Sequence, residues 1–422
     1  MVAAVKHSYV RGRLTIAGSK SMMQRACVLA LLRDGNSIIE NRSVSDDSNA
    51  VLQIIEKLGA GVTHEDGLIR ISGNPRFNFS GTLNCYESGL AIRMLVPVVS
   101  TCAGRVSLTG EGSLAHRPMG FFDKVLPGLG VKVRSTGGFL PIEVTGPMQP
   151  RDISVDGSIS SQFITGLLFA YAHIALPGTI IRVSDTVSRP YLDMSVAMLN
   201  KFGYSIIQPN ADEFVIGEKT RIEGSLLVTI PGDWSGGAFF LVAGAIAGNL
   251  EISGLDETSQ QGDRAVLDVL KMAGADVTHS GPEILVNNHN KLNAFQFDAS
   301  ATPDLFPPLA CLALYCEGTT SINGLARLHD KESNRQDALI DIFTRMGAKV
   351  WAEGNVLKIE GMQPLRPAVL DGYNDHRIVM AAAVAALGSG CEITISGAGA
   401  VSKSYPAFFQ QLIEIGAHVS LT

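Results

Sequence analysis

Four cations stand where helix electrostatics disfavours them. Lys20 and Arg25, Arg93, and Arg377 fall in the first turns of stretches that are otherwise apolar on nearly every face: SKSMMQRACVLALL, YESGLAIRMLVPVV and YNDHRIVMAAAVAAL. The start of a helix carries unsatisfied N–H groups and the positive end of the dipole, so a cation there is opposed. An anion bound at the same place reverses the sign, because backbone N–H groups and cations then share one ligand. Ser19, Ser160, Asp233, Thr302 followed by Pro303, and Asn374 are explained as helix caps alone; the cations are not. Further charge gathers in HRPM (116–119), SRPY (188–191) and HDKESNR (329–335). Arg-Pro usually marks a surface turn, and Lys331-Glu332 reads equally well as a solvated pair. DHR at 375–377 is harder to set aside, since three polar side chains abut a buried helix. Lys403, in VSKSYP, carries nothing alone. Together these residues point to a small, strongly anionic ligand, with acids and a histidine available for proton transfer.

The elements that must position them repeat six times, with a period of about 70 residues. A glycine opens an apolar strand at Gly35, Gly104, Gly178, Gly248, Gly318 and Gly390. A small-residue step follows downstream at 58–60, 129–131, 202–204, 273–275, 346–348 and 415–417. Each repeat reads as a polar turn, a buried helix, a strand, an amphipathic helix such as DDSNAVLQIIEKLGA, and closing strands such as LIRISG or VLKIEG. The pattern is βαβαββ. It predicts an α+β fold of two domains, each of three repeats with buried helices. The first domain is expected over 19–231. The second is expected over 232–422 together with 1–18, discontinuous because the first strand, RLTIAG, pairs with the C-terminal half. Pseudo-threefold symmetry in each half would point the helix starts at one interdomain cleft, where the active site is expected.

Bulk properties narrow the class. The chain has 422 residues, 46% hydrophobic and 18% charged, with a formal charge of −6. That composition supports packed cores rather than disorder. It argues against a general nucleic-acid surface while leaving room for a local basic pocket. The longest apolar stretches, Leu305–Cys316 and Ala238–Ala247, fall short of the roughly 20 residues that span a bilayer, and the N-terminus lacks a signal-peptide apolar region. Six cysteines without a CxxC pair read as reduced core thiols. The expectation is a soluble cytoplasmic protein.

At the charged segments the chain resembles the EPSP synthase family of enolpyruvyl transferases, in order and over essentially its whole length. GSKS with Arg25, HRPM, SISSQFITGLL, SRPYLDM, the GD…S segment at 232–235, TPDLFPP, KESNR, YNDHR and SKSYPAFF are all similar to family segments. KESNR with YNDHR in this register is highly specific. The resemblance implies transfer of the enolpyruvyl group of phosphoenolpyruvate to the 5-hydroxyl of shikimate 3-phosphate, with release of phosphate. It implies neither metal nor organic cofactor, and a monomer. It also implies two domains of three βαβαββ units, the count that the repeats reach independently.

Residue by residue, the resemblance implies that Lys20, Ser21, Arg25, Ser160, Ser161, Gln162, Ser188, Tyr191, Asp304 and Lys331 hold shikimate 3-phosphate. Lys20, Gly89, Arg93, Arg117, Gln162, Arg335, Arg377 and Lys403 would surround phosphoenolpyruvate. Asp304 would bind the acceptor hydroxyls and take the 5-hydroxyl proton. Glu332 and Lys403 would handle the proton at C3, with His376 close by and Lys20 also in the catalytic set. The family's Asn-Ala-Gly-Thr-Ala-x-Arg-Pro segment reads here Glu87-Ser88-Gly89-Leu90-Ala91-Ile92-Arg93-Met94. Asn334 replaces a usual Asp, and Gln24 a usual Asn. Glu87 is expected to point outward as a helix-start acid.

Three other readings are weaker. The sister enzyme that uses UDP-N-acetylglucosamine has a reactive cysteine five residues before the arginine of its Arg-Pro loop, and here that position is Gly112. A sliding clamp on DNA, also six-fold repeated, would spread basic residues over helix faces lining a wide hole. A catalytically dead ligand-sensing relative would not need the full acid–base set.

Overall fold

The computed structural model describes residues 1–65 and 67–422. They form two compact units: Gly18–Ile230, and Met1–Ala17 with Pro231–Thr422. Each unit has its own apolar core. No helix among the described residues is long and apolar enough to cross a membrane.

Unit 18–230 is built on three helices, α1 (Lys20–Leu32), α2 (Gly89–Val99) and α3 (Ser161–Ile174). Every residue of α2 is buried, Arg93 included. Around these helices lie three four-stranded sheets of one pattern, a parallel pair at one edge followed by two antiparallel pairings. In the first, Asn36–Glu40 pairs in parallel with Leu226–Thr229 and antiparallel with Leu68–Ser72, which pairs with Gly61–Glu65. Leu226–Thr229 comes from the far end of the unit, so the chain closes the first sheet last. The two other sheets are centred on Arg105–Thr109 and Ile180–Ser184.

The second unit repeats the plan with α4 (Trp234–Ala247), α5 (Phe306–Leu314) and α6 (His376–Gly388). Val10–Thr15, which contains the first half of RLTIAG, pairs in parallel with Gly248–Ser253. Val2–Lys6 is a strand that the sequence pattern does not announce. It lies antiparallel to both Glu392–Ser396 and Val419–Leu421, inside the last sheet. The architecture is the α+β fold expected from the repeats. The amphipathic helix expected before 129–131 is instead split into Phe121–Val125 and a 3-10 turn, Leu126–Leu129, where Pro127 breaks the run.

The helix caps differ from expectation in part. Asp375, not Asn374, caps α6, and its side chain accepts from the Arg377 N–H. Asn374 is left-handed, with φ of 50°, and ends the preceding turn. Thr302 precedes a 3-10 turn, Pro303–Leu305, and α5 starts only at Phe306. Ser88 caps α2 through the Ala91 N–H. Ser160 and Asp233 cap as expected, while Ser19 stands at the cap position of α1 without a side-chain bond.

Candidate active site

In unit 18–230 the charged residues sit on the N-terminal turns of α1, α2 and α3 and on two loops. Arg25 is 1% exposed. Its Nε donates to Ser195 Oγ at 2.9 Å, Nη1 to the Ser21 carbonyl at 2.9 Å, and Nη2 to the Tyr191 carbonyl at 3.2 Å. All three acceptors are neutral. Burial lowers its pKa to about 10, only partly offset by Tyr191. A buried guanidinium held by neutral acceptors is a cation short of an anion. Ser195 is itself fixed by Thr165 Oγ1 and by the Tyr191 carbonyl. Lys20 Nζ meets Asp47 Oδ2 at 2.9 Å, with both side chains nearly buried.

Arg93 donates from Nη1 to Gln162 Oε1 at 2.9 Å and lies 5.0 Å over the Phe163 ring. Ser160 caps the turn that carries Gln162. At Gly89 an added Cβ would meet Arg117 Nη1 at 2.5 Å and Arg93 Nη1 at 3.5 Å. The missing side chain therefore leaves the start of α2 to two guanidinium groups. Ser161 and Ser188 are buried, the latter in the left-handed conformation that starts the helix Arg189–Lys201.

Glu87, unlike the helix-start acid expected to face solvent, is half-buried and turned to the neighbouring loop. It accepts from the Ser113 N–H at 3.4 Å, and its carboxylate occupies the place of a Cβ at Gly112. Gly112 has φ of 52°. A side chain at 112 would be strained and would displace Glu87. The position at which the sister family carries its cysteine is thus closed here.

In the other unit the site is a lattice of carboxylates and cations at the starts of α5, α6 and the helix Arg335–Arg345. Arg335 is 1% exposed and holds three acids. It donates to Asp375 Oδ2 and Asp304 Oδ1 at 2.8 Å each, and to Glu332 Oε2 at 2.5 Å. Asp304 also accepts from Arg377 Nη2 at 3.0 Å and lies 4.0 Å from Lys331 Nζ. Burial alone would raise the Asp304 carboxyl, but Arg377, Lys331 and Arg335 outweigh it and hold it well below the usual range. For Arg335, burial is outweighed by Asp375, Glu332 and Asp304, and its pKa rises. Lys331 is brought down to about 8, mainly by burial, against the pull of Asp304. Lys403 donates to the Asn374 carbonyl at 2.7 Å. His376 is 2% exposed, its Nδ1 3.8 Å from Asp375 Oδ1.

Three residues of this arrangement are absent from the sequence-derived set. Asp47 pairs with Lys20 across 27 positions, a link that no local motif announces. Asp375 stands inside DHR, and its role as the hub for Arg335, Ser333 and the start of α6 was legible only as polarity. Asp263, 2% exposed, bonds Ser235 and is raised to about 6 by burial and by Asp304.

A profile of the family EPSP synthase (3-phosphoshikimate 1-carboxyvinyltransferase) matches residues 5–412. The chain belongs to the EPSP synthase family. It is 33% identical over 419 residues to the 3-phosphoshikimate 1-carboxyvinyltransferase of Clostridium novyi, covering 97% of this chain and 96% of that protein. It is 37% identical over 403 residues to that of Thermococcus kodakarensis, covering 96% and 97%. Among solved structures, the fold matches an EPSP synthase from Acinetobacter baumannii with a TM-score of 0.83 at 24% identity, over all of both chains. It also matches the enolpyruvyl transferase NikO from Streptomyces tendae with a TM-score of 0.80 at 19% identity, covering 100% of this chain and 98% of the other.

Proposed function

We propose that this EPSP synthase family member transfers the enolpyruvyl group of phosphoenolpyruvate to the 5-hydroxyl of shikimate 3-phosphate. The hydroxyl oxygen bonds to C2 of phosphoenolpyruvate as C3 takes a proton. Phosphate then leaves the tetrahedral intermediate as C3 gives a proton up. The observation that carries this reading is Asp304, an acid pinned by Arg335, Arg377 and near Lys331. It offers a fixed acceptor for a hydroxyl among cations that draw in trianions.

Asp304 held so far below its usual range is a weak base at rest. Its part is to align the hydroxyl and take the proton as the C–O bond forms. Two incoming anions offset the surrounding cations and raise its basicity. The Arg335–Glu332 bridge has a matching role. An oxygen of phosphoenolpyruvate would replace Glu332 on Nη2 and release that carboxylate, with Lys403 and His376, to serve C3. Lys20, Arg93, Arg117 and Arg377 would complete the phosphoenolpyruvate shell, with Gly89 and Gln162 shaping it. Ser21, Arg25, Ser160, Ser161, Ser188, Tyr191 and Lys331 would hold shikimate 3-phosphate. These groups come from both units of one chain, so a monomer suffices. The −6 charge and small anionic substrates fit a cytoplasmic enzyme with no nucleic-acid partner.

Phosphate release measured with both substrates, and with each omitted in turn, tests the reading. Release is expected only with both, and EDTA should leave it unchanged, since cations do the electrostatic work. Turnover on UDP-N-acetylglucosamine, or strict need for a divalent metal, would overturn it.

A further inference from the structure

The opposite ends of the same buried helices build a second basic cavity. Its volume is about 560 Å³, within the range of small-molecule sites. Arg33 and Asp34 follow the last residue of α1, His173 lies at the end of α3, and Phe202–Tyr204 follows the helix Arg189–Lys201. Arg76 and the segment Lys219–Ile222 complete it. α1 is 13 residues long, so its two ends are separated by about 20 Å. A small ligand cannot reach both this cavity and Lys20 at the other end of the helix.

Four cations line the cavity, Arg33, Arg76, Lys219 and Arg221, against one carboxylate, Asp34. Among the described residues none of the four makes an ion pair with a carboxylate. Arg33 is buried and donates to the carbonyls of Asn36, Ile222 and Gly224. Lys219 donates to the carbonyl of His173 and lies 5.5 Å from the centre of the Tyr204 ring. Carbonyls fix Arg33 and Lys219 in place, and Asp34 is the single carboxylate in the lining to offset four positive charges. His173 bonds the Pro75 carbonyl, and burial and Lys219 bring it to about 4, so it adds no charge at neutral pH. Most of the remaining wall is apolar, with Leu32, Pro75, Phe202, Tyr204 and Ile222 beside Gly203 and Thr220.

We propose that this cavity is a binding site for a small organic anion, a phosphate or carboxylate on a single-ring body, distinct from the candidate active site. The anionic group lies against Lys219, Arg76 and Arg221, with Arg33 behind them, and the ring packs on Phe202 and Tyr204. Arginine forks suit both oxyanions, so phosphate and carboxylate are separated by experiment.

The test is calorimetric titration of phenyl phosphate, benzoate and inorganic phosphate into the full chain and into an Arg76→Ala/Arg221→Ala double variant. Both substitutions are at exposed positions, and turnover and melting temperature of the variant serve as controls. With the candidate active site saturated by shikimate 3-phosphate, phenyl phosphate or benzoate should still bind the parent chain. The double variant should bind it at least about tenfold more weakly, with turnover unchanged within about twofold. The stronger of the two ring probes names the preferred oxyanion. Equal binding by parent and variant, or loss of all binding once shikimate 3-phosphate is present, would overturn the site. Inorganic phosphate binding as tightly as both ring compounds would overturn the role given to the apolar wall.

Discussion

Arg25 and Arg335 are both buried guanidinium groups, and they titrate in opposite directions. Arg25 has only neutral acceptors and is lowered to about 10 by burial. Arg335 has three carboxylates and is raised. Among the described residues the first has no acid beside it, and the second ties three segments of the fold together. Arg25→Met should weaken shikimate 3-phosphate binding by roughly 1.5–3 kcal/mol, as for a lost charge-assisted hydrogen bond. Arg335→Met should cost the unliganded fold about 3–5 kcal/mol, because Asp375 and Glu332 lose this buried cation and Asp304 keeps only Arg377 and Lys331. Calorimetric titration and urea unfolding of both variants check this, and a larger folding loss from Arg25→Met would refute the division of roles. Lys331 and Glu332 are adjacent and separable in the same way. Glu332→Gln should keep substrate binding and lower turnover by about 10²-fold or more. Burial brings Lys331 down to about 8 from the ordinary lysine value of 10.5. Shikimate 3-phosphate affinity should therefore fall as pH rises through about 8, and Lys331→Ala should remove that dependence. The effect on the fold has the opposite sense. Between the two values the unfolded chain binds more protons, so the cost of Lys331 is full below pH 8 and fades as pH rises.

At the scale of elements, the six buried helices were legible because their apolar faces leave no solvent side, and because a glycine-led strand follows each. The cations at their starts were legible for the same reason, standing out against apolar surroundings. The carboxylate lattice was not. Arg335, Asp304, Glu332 and Asp375 come from three segments, and only the folded repeats bring them within 2.5–2.8 Å of one guanidinium. Val2–Lys6 was illegible because a short strand needs its neighbours, Glu392–Ser396 and Val419–Leu421, to exist at all. Asn374 was one residue off as a cap because its left-handed turn is a property of the backbone, not of residue type. Glu87 is the instructive miss. It ties the start of α2 to the turn at 112–113, and that turn leads into Arg117, whose guanidinium lies over Gly89. Glu87→Gln keeps an acceptor for the Ser113 N–H and should change the Michaelis constant for phosphoenolpyruvate by less than about threefold. Glu87→Ala removes the brace and should raise that constant more than the Gln variant does. A tenfold or larger fall with Gln, worth about 1.4 kcal/mol, would mean that the carboxylate repels the substrate instead.

For the whole molecule, the proposed reaction draws on residues of both units. Unit 18–230 supplies Lys20, Arg25, Arg93 and Arg117, cations with serines and an amide. The other supplies Asp304, Glu332 and His376, the groups proposed to handle protons, set among Lys331, Arg377 and Lys403. If shikimate 3-phosphate engages Arg25 and Ser161 of one and Asp304 and Lys331 of the other, its binding energy must stabilise both. A ligand at 100 times its dissociation constant adds about 2.7 kcal/mol to whatever it binds in the folded state. Hydrogen exchange resolved by peptide reads the two units separately. With shikimate 3-phosphate alone, amides at the starts of α1 and α3 and amides over 302–335 should slow together. Phosphoenolpyruvate added second should extend protection to 87–93 and 374–403. Slowing confined to unit 18–230 under saturating shikimate 3-phosphate would remove Asp304 and Lys331 from its binding set. The hydroxyl would then lack the acceptor on which the proposed addition depends.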